Sequence, residues 1–340
     1  MGLIDIKSLS LEQLIDDFKL KNYPSYRAKQ VYKWLYDGTM TFNNMLNVPK
    51  SMRDELSSIY YICRLEIEKK LESKIDGTKK YLFKLQDNEY IESVLMKYKH
   101  GYSACISTQV GCKMGCRFCA TGMNGFSRNL CPSEMISQIQ TIQDDNNIRI
   151  SNIVLMGMGE PLDNYDNVLK FLRLVSSKNG LNMGMRHISL STCGLVDKIY
   201  KLAEENLQIT LSISLHASNN TIRNMSMPIN KKWDIHNLLN ACRFYIEKTN
   251  RRISFEYAMI DGVNDSDKHA YELANLLKDM LCHVNLIPIN RVYGAGFKKS
   301  KANRLDNFNG ILTSKGINVT IRRTLGADIN ASCGQLRGSI

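Results

Sequence analysis

Residues 102–119 read YSACISTQVGCKMGCRFC, a predicted strand at 102–110 followed at once by three closely spaced cysteines. From this strand to residue 323, strand patterns alternate with helical patterns. Such alternation predicts a parallel sheet with right-handed crossovers. In barrel-like folds of this kind, the catalytic residues lie at or just after the carboxyl ends of the strands. The cysteines therefore occupy the position where an active site is expected.

The predicted core elements follow one another regularly. Strands are expected at 102–110, 151–158, 186–193, 208–216, 252–260, 283–289 and 318–323, and helices at 132–145, 164–177, 196–206, 235–248, 266–280 and 302–315. Six or seven such units predict the α/β class, with a partial (β/α)6-type barrel.

The first hundred residues are organised differently. Ser10 and Gln13 form a capping-box pattern before an amphipathic helix, and a second helix follows Pro24. From about residue 62 the apolar period changes to two, and Asp76-Gly77 is a hairpin signal. We expect a helical accessory domain at 1–60, a β-hairpin extension at 61–100 and the core at 101–340.

Composition and charge limit the classes of function. Hydrophobic residues make up 44% and charged residues 23%, which excludes disordered and fibrous chains. Asp5 and Lys7 interrupt the apolar N-terminus, so we expect no signal peptide and a cytoplasmic location. The net charge of +12 favours a polyanionic partner such as nucleic acid, or reflects only a basic surface. Lysines alternate with tyrosines over 19–36, as on an RNA-binding surface or on the solvated face of small helices.

Cys112, Cys116 and Cys119 form a C-x3-C-x2-C motif. Thiolates are soft ligands that suit zinc or an iron–sulfur cluster. Three ligands leave one iron of a cluster open, and that iron could bind S-adenosylmethionine. The alternative is a zinc site with Cys105 or Cys131 as fourth ligand, although the sequence has no second C-x2-C pair.

The motif, with an aromatic residue before its third cysteine, resembles the radical S-adenosylmethionine superfamily. Longer strings resemble the RlmN family of RNA methyltransferases: CISTQVGC (105–112), GFSRNL (125–130), GMGEPL (157–162), RHISLST (186–192), SLHA (214–217), NLIPIN (285–290) and GADINASCGQL (326–336). The resemblance extends from the N-terminal helices to about residue 337, and together these strings are highly specific.

The resemblance implies roles for individual residues. Cys112, Cys116 and Cys119 would bind one 4Fe–4S cluster. The implied S-adenosylmethionine contacts are Gly159, Glu160, Ser191, Ser214, Leu215, His216 and Asn290. Cys333 would carry a methyl group as S-methylcysteine, Cys105 would form a transient disulfide with it, and Glu92 would accept a proton. Two S-adenosylmethionine molecules would be used per turnover.

The implied reaction is methylation of carbon 2 of adenine 2503 in 23S rRNA and of adenine 37 in tRNA. The implied protein is a monomer without membrane association, reduced by an electron donor such as flavodoxin. Candidate phosphate contacts are Lys298, Lys299, Lys301, Arg304, Arg322 and Arg323.

The sequence leaves three alternative functions open. The first is the related Cfr type, which methylates carbon 8; Pro161 and the string Arg322-Arg323-Thr324 favour RlmN over it. The second is a zinc-stapled RNA-binding protein. The third is a radical enzyme that acts on a peptide or a small molecule, which would not need Cys333.

Overall fold

The computed structural model describes residues 2–123, 125–290 and 296–337. Its N-terminal part contains β1 (Ile4–Asp5), α1 (Leu11–Leu20), α2 (Ser25–Tyr36), α3 (Lys50–Ile59) and β2 (Tyr60–Tyr61). The predicted capping box is confirmed, since the Ser10 hydroxyl accepts the N–H of Gln13 and the Gln13 side chain accepts the N–H of Ser10. Helix α3 was not predicted from the sequence.

Three strands connect this part to the core: β3 (Glu66–Glu72), β4 (Lys79–Lys84) and β5 (Tyr90–Tyr98). They pair as antiparallel neighbours. The predicted Asp76-Gly77 turn joins β3 to β4, and Gly77 adopts a φ of +70°, which a residue without a side chain adopts at little cost.

The core follows in chain order. Its elements are β6 (Gly101–Cys105), β7 (Gln109–Gly111), α4 (Ala120–Met123), β8 (Phe126–Asn129), α5 (Pro132–Asn146), β9 (Ile150–Leu155), α6 (Tyr165–Ser176), β10 (Ile188–Thr192), α7 (Val196–Glu204), β11 (Thr210–Ser214), α8 (Asn220–Ser226), α9 (Ile235–Thr249), β12 (Ile253–Met259), α10 (Asp267–Leu277), β13 (Cys282–Pro288), α11 (Ala302–Ser314) and β14 (Val319–Ile321).

The main sheet confirms the predicted α/β class. Its strand order is β14-β13-β12-β11-β10-β9-β6-β5-β4-β3. Seven of these strands are parallel to one another: β6, β9, β10, β11, β12, β13 and β14. Along the chain, each of them pairs with the one before it after a helical crossover. The fold is thus six strand–helix units followed by a final strand, with the hairpin extension added antiparallel to β6.

The predicted strand 102–110 was wrong in one respect, because it divides into β6 and β7. After Cys105 the chain turns across the end of β9, and Gly157 allows the contact: a Cβ there would lie 2.6 Å from the carbonyl oxygen of Ile106. The Ser107 hydroxyl donates a hydrogen bond to the carbonyl of Glu92 at 2.6 Å, so this buried hydroxyl has a partner within the protein. Strand β7 then pairs with β8 as a separate ribbon that supports the cysteine loop.

The N-terminal helices pack on the core without a gap. The buried Lys7 Nζ donates to the carbonyl of Cys63 at 2.8 Å, to Ser137 Oγ at 3.0 Å and to Gln140 Oε1 at 2.9 Å, the last two on α5. Both parts contribute to one continuous hydrophobic cluster. Within the described ranges, no helix combines the length and the apolar character needed to cross a bilayer.

Candidate active site

Cys112, Cys116 and Cys119 lie on one loop between β7 and α4, which we call the cysteine loop (112–119). The β7–β8 ribbon closes its base, where the N–H of Cys112 donates to the carbonyl of Gly125 at 2.7 Å. Gly111 has a φ of +72°, and a Cβ there would lie 2.1 Å from the same carbonyl. Only glycine fits so close an approach, so the sequence dictates this turn.

The donor chemistry of the loop suits a cluster. Burial raises the pKa of Cys112 to about 12 and raises that of Cys116 as well, with the neighbouring cysteines adding to the effect. Metal ligation would supply the positive charge that makes these thiols thiolates. In the described part of the chain, no three Cys, His, Asp or Glu side chains stand close enough to share one metal ion. Thiolates bound to three different irons stand further apart than thiolates on one ion.

Neither thiol that the zinc alternative offers as a fourth ligand lies on the loop. Cys131 precedes α5, where its sulfur is 3.2 Å from Ser133 Oγ, and burial raises its pKa. Cys105 lies at the end of β6, in a cavity described below. The arrangement therefore fits three thiolates on a cluster with one open iron.

Gly159 and Glu160 follow the carboxyl end of β9. Gly159 has a φ of +101°, and a Cβ there would lie 2.6 Å from the Gln109 side chain. The buried Glu160 carboxylate accepts the N–H of Cys193 at 2.7 Å and that of Leu162 at 3.0 Å. Burial raises the pKa of Glu160, and these two N–H groups oppose the rise. Glu160 thereby ties the end of β9 to the end of β10.

The ends of the next two strands carry four more of the predicted contacts. Ser191 lies on β10 and Ser214 ends β11, and both are half-buried on the same edge of the sheet. Leu215 is fully buried. His216 adopts a φ of +54°, and its ring packs edge-on against Phe118 of the cysteine loop, with 4.8 Å between the ring centroids.

His216 is held neutral. Burial, together with a smaller effect of the charge of Arg223, lowers its pKa to about 3. Its Nδ1 accepts the N–H of Ala258 at 2.9 Å, which leaves the proton on Nε2. A neutral, oriented imidazole at this position can donate one hydrogen bond and cannot act as a cation.

The chain after residue 325 lies directly on the cysteine loop. The N–H of Ala120 donates to the carbonyl of Gly334 at 2.7 Å, and the Thr121 hydroxyl donates to the carbonyl of Leu336 at 2.7 Å. Gly334 has a φ of +82°, and a Cβ there would lie 3.1 Å from the carbonyl oxygen of Phe118. The backbone next to Cys333 therefore contacts the end of the cysteine loop, although Cys333 is more than 200 residues away from that loop in the sequence.

Cys333 and Cys105 open into one cavity, which Asn290 and Arg322 also line. Asn290 Nδ2 donates to the carbonyl of Cys333 at 3.2 Å. Burial raises the pKa of Cys105 to about 12; the nearby Cys333 adds to the rise and Arg322 opposes it. The structure thus brings together the two thiols that the resemblance pairs.

Glu92 does not line that cavity. It lies on β5, on the same strand face as Val94, Met96 and Tyr98, which do. Its carboxylate pairs with Lys80 Nζ at 2.8 Å and accepts the N–H of Arg337 at 2.5 Å. The predicted face is correct, and the side chain stands next to the cavity, under the C-terminal segment.

Two arginines of the site were not recognised from the sequence. Arg322 was expected at phosphates; instead it lines the cavity, 3.7 Å from Glu256 Oε2, and its pKa is raised chiefly by Cys333. Arg223, on α8, is fully buried behind the strand ends. Arg322 stands beside Arg323, and such a basic pair is typical of a phosphate-binding surface, whereas a single arginine such as Arg223 normally lies on the surface.

Comparison with known proteins agrees with this geometry. Residues 106–274 match the Radical SAM superfamily, and residues 3–62 match the ribosomal RNA large subunit methyltransferase N-terminal domain. A crystal structure of a radical SAM methyltransferase from Sphaerobacter thermophilus superposes with a TM-score of 0.95 at 41% identity, covering 99% of this chain and 100% of that one. Fold and site therefore define a radical S-adenosylmethionine methyltransferase, which implies a 4Fe–4S cluster and S-adenosylmethionine.

Sequence relatives narrow the class further. A probable dual-specificity RNA methyltransferase RlmN from Clostridium tetani is 53% identical over 336 residues, 99% of this chain and 96% of the relative. One from Alkaliphilus oremlandii is 54% identical over 337 residues, 99% of this chain and 98% of the relative. The chain belongs to the RlmN family of RNA methyltransferases, and these comparisons do not favour the Cfr alternative.

Proposed function

We propose that this enzyme methylates carbon 2 of adenine, at adenine 2503 of 23S rRNA and at adenine 37 of tRNA. One observation carries the proposed thiol chemistry: Cys105 and Cys333 line one cavity, and the residue that follows Cys333 contacts the cysteine loop. A radical enzyme that acts on a small molecule does not need two thiols in addition to the three cluster cysteines. A thiol that carries a methyl group and a second thiol that releases the product from it need to stand in one cavity.

Carbon 2 of adenine lies between two ring nitrogens and is electron-poor, so it is a poor nucleophile towards a sulfonium methyl group. When bound, the cluster and S-adenosylmethionine supply the methyl group and a one-electron route around that difficulty. Two molecules of S-adenosylmethionine are used per turnover. The role of Cys333 is to hold the transferred carbon on its sulfur at the edge of the cavity. The predicted S-adenosylmethionine contacts are Gly159, Glu160, Ser191, Ser214, Leu215, His216 and Asn290, and of these Asn290 lines the cavity.

Cys105 releases the product. Its thiolate attacks the sulfur of Cys333, so that a Sγ–Sγ bond forms and the bond from Cys333 sulfur to the transferred carbon breaks. The electron pair of that bond stays on the carbon, which takes up a proton and becomes a methyl group. A dithiol reductant then returns the disulfide to two thiols.

Glu92 is the proposed acceptor of the proton lost from carbon 2 in the adduct. Its carboxylate is only 1% exposed and is covered by the N–H of Arg337. Proton transfer from a bound adenine therefore requires the C-terminal segment to shift away from Glu92. Such a shift would also open the Cys105–Cys333 cavity to the base.

RNA binding is proposed for the basic surface. The candidate phosphate contacts are all exposed, and one of them, Arg323, also lines the cavity: Lys298, Lys299, Lys301, Arg304 and Arg323. We extend this role to the helical accessory domain at 1–60. The target adenine must leave its stack to reach the cavity. We further propose a cytoplasmic monomer that receives electrons from a protein such as flavodoxin.

The proposal is tested by product analysis. The protein is reconstituted anaerobically with iron and sulfide, and incubated with S-adenosylmethionine, a reductant and an rRNA fragment; the nucleosides are then analysed by mass spectrometry. We expect 2-methyladenosine. Recovery of 8-methyladenosine would establish the Cfr-type reaction instead, and an unmodified adenine with an intact cluster would refute the RNA assignment.

A further inference from the structure

Arg223 is a fully buried cation whose hydrogen-bond acceptors are all neutral. Its side chain is 0% exposed. Nη2 donates to the carbonyls of Cys193 at 2.7 Å and Ser214 at 3.2 Å, Nε donates to the carbonyl of Leu215 at 3.2 Å, and Nη1 donates to Asn230 Oδ1 at 3.0 Å. These bonds use four of the five N–H donors of the guanidinium and leave its charge unbalanced.

No carboxylate balances that charge in the described part of the chain. Arg223 forms no ion pair there, and the remaining residues of the sequence include no aspartate or glutamate. The groups whose negative charge would reach it are the thiols of Cys193, Cys116 and Cys242. Buried charges in proteins are normally paired, because an isolated one is costly to desolvate. We therefore expect the negative partner of Arg223 to be one of these thiols.

The position of Arg223 selects Cys116. Helix α8 touches the cysteine loop, since the carbonyl of Ser226 accepts the N–H of Arg117 at 3.0 Å. The strand ends that Arg223 clamps belong to β10 and β11, whose Ser214–Leu215–His216 segment packs on the same loop through Phe118. Gly194 allows the close packing, because a Cβ there would lie 3.3 Å from Arg223 Nη2.

We propose that Arg223 is the buried counter-charge of the iron–sulfur cluster and sets the reduction potential of that cluster. The inference rests on the cluster assigned above. Three thiolates bring negative charge to the loop, and one-electron reduction adds another. A fixed cation in a poorly polarisable interior stabilises the reduced form more than the oxidised form. Arg223 is thus a positioning residue that acts through the cluster.

Three substitutions separate charge from hydrogen bonding. Arg223→Lys keeps the charge, Arg223→Gln keeps donors for the strand-end carbonyls without the charge, and Arg223→Met removes both. Arg243→Met, on the exposed face of α9, is the matched control. The midpoint potential of each reconstituted protein is measured by titration with dithionite under electron paramagnetic resonance.

We expect the Gln and Met variants to reduce with an equilibrium constant at least about tenfold lower, which is a potential about 59 mV more negative for one electron. The Lys variant and the Arg243→Met control should stay near the wild type. An unchanged potential in both neutral variants would overturn the inference. A wild-type potential in Arg223→Gln combined with a changed potential in Arg223→Met would also overturn it. That result would show that Arg223 acts through its hydrogen bonds to the strand ends and has no electrostatic role.

Thermal unfolding without iron gives an independent readout. Arg223→Gln, which keeps donors for the strand-end carbonyls, should leave the apo protein about as stable as the wild type, and cluster loading should raise its melting temperature less than in the wild type. If both neutral variants lose the apo fold, the cation is needed without a cluster and the inference fails. A wild-type protein that takes up no cluster would instead contradict the proposed function.

Discussion

Asn290 Nδ2 donates a hydrogen bond to the carbonyl oxygen of Cys333 at 3.2 Å. The contact ties the residue that follows β13 by two positions to the segment that carries the proposed methyl acceptor. The carbonyls of Gly334 and Leu336 accept hydrogen bonds from α4, so these contacts together hold the segment that places Cys333 at the cavity.

Asn290→Ala should loosen this segment. Loss of one hydrogen bond is worth about 1 kcal/mol, so we expect roughly fivefold faster local opening. Hydrogen exchange of residues 331–336 in the resting protein measures it directly and is independent of cofactor binding. Asn303→Ala, which removes an exposed side chain on α11, should leave the exchange rates unchanged. Equal rates in Asn290→Ala and wild type would show that the bond does not restrain Cys333.

The two thiols should give different products when each is removed. With Cys105→Ala, no thiolate can attack the Cys333 sulfur, so the RNA should remain covalently attached to the protein. With Cys333→Ala, neither the adduct nor the methylated base should form. Gel mobility and mass spectrometry detect both outcomes.

Cys282→Ala serves as the control for the thiol pair, since this buried cysteine lies at the opposite, amino-terminal end of β13. We expect it to retain turnover. Full turnover by Cys333→Ala would instead support a radical enzyme that acts without a thiol carrier.

Arg322 should govern the reactivity of Cys105. Burial raises the pKa of Cys105 to about 12, and the guanidinium of Arg322 opposes that rise. Arg322→Gln should therefore raise the pKa of Cys105 further and slow its alkylation at any pH between 8 and 10, measured by peptide mass spectrometry. Arg323→Gln removes the exposed neighbouring charge and should change the rate little. Faster alkylation in Arg322→Gln would show that its side chain acts mainly as a steric cover.

His216 should make stability depend on acid. Its pKa is about 3 in the folded protein, against 6.5 for a histidine in water, so the unfolded chain binds the extra proton first as pH falls. The stabilisation by neutral His216 is complete above pH 6.5 and is lost progressively below it. Between pH 6.5 and pH 5 the loss is about 2 kcal/mol.

His216→Asn is the matched variant, because asparagine tolerates the φ of +54° and offers an oxygen to the N–H of Ala258. Urea unfolding at several pH values should show a smaller dependence on pH in this variant. An unchanged dependence would assign the acid sensitivity to other groups.

The sequence predicted the sheet and its strand ends well, because buried strands and amphipathic helices alternate from 102 to 323 with clear periodicity. It failed at Cys105, where it continued one strand through the turn that a contact with Gly157 creates. Helix α8 was missed because seven residues are too few for a periodic signal.

The site was predictable only in part. Cys112, Cys116 and Cys119 are close in sequence, so their spacing marks them as ligands. Cys105 and Cys333 meet only through the fold, and from the residues alone either one looks like an ordinary buried thiol. Arg223 and Arg322 were unpredictable for the same reason, since a buried charge is recognised by its surroundings and the sequence does not display them.

The central claim is that Cys333 carries the carbon that reaches the adenine. It is tested most directly by following the methyl group of deuterium-labelled S-adenosylmethionine through a single turnover, with peptides and nucleosides analysed at each time. The account predicts label on the peptide containing Cys333 first, and then its transfer from that peptide to carbon 2 of adenine. Label that enters the RNA while the Cys333 peptide stays unlabelled would contradict it.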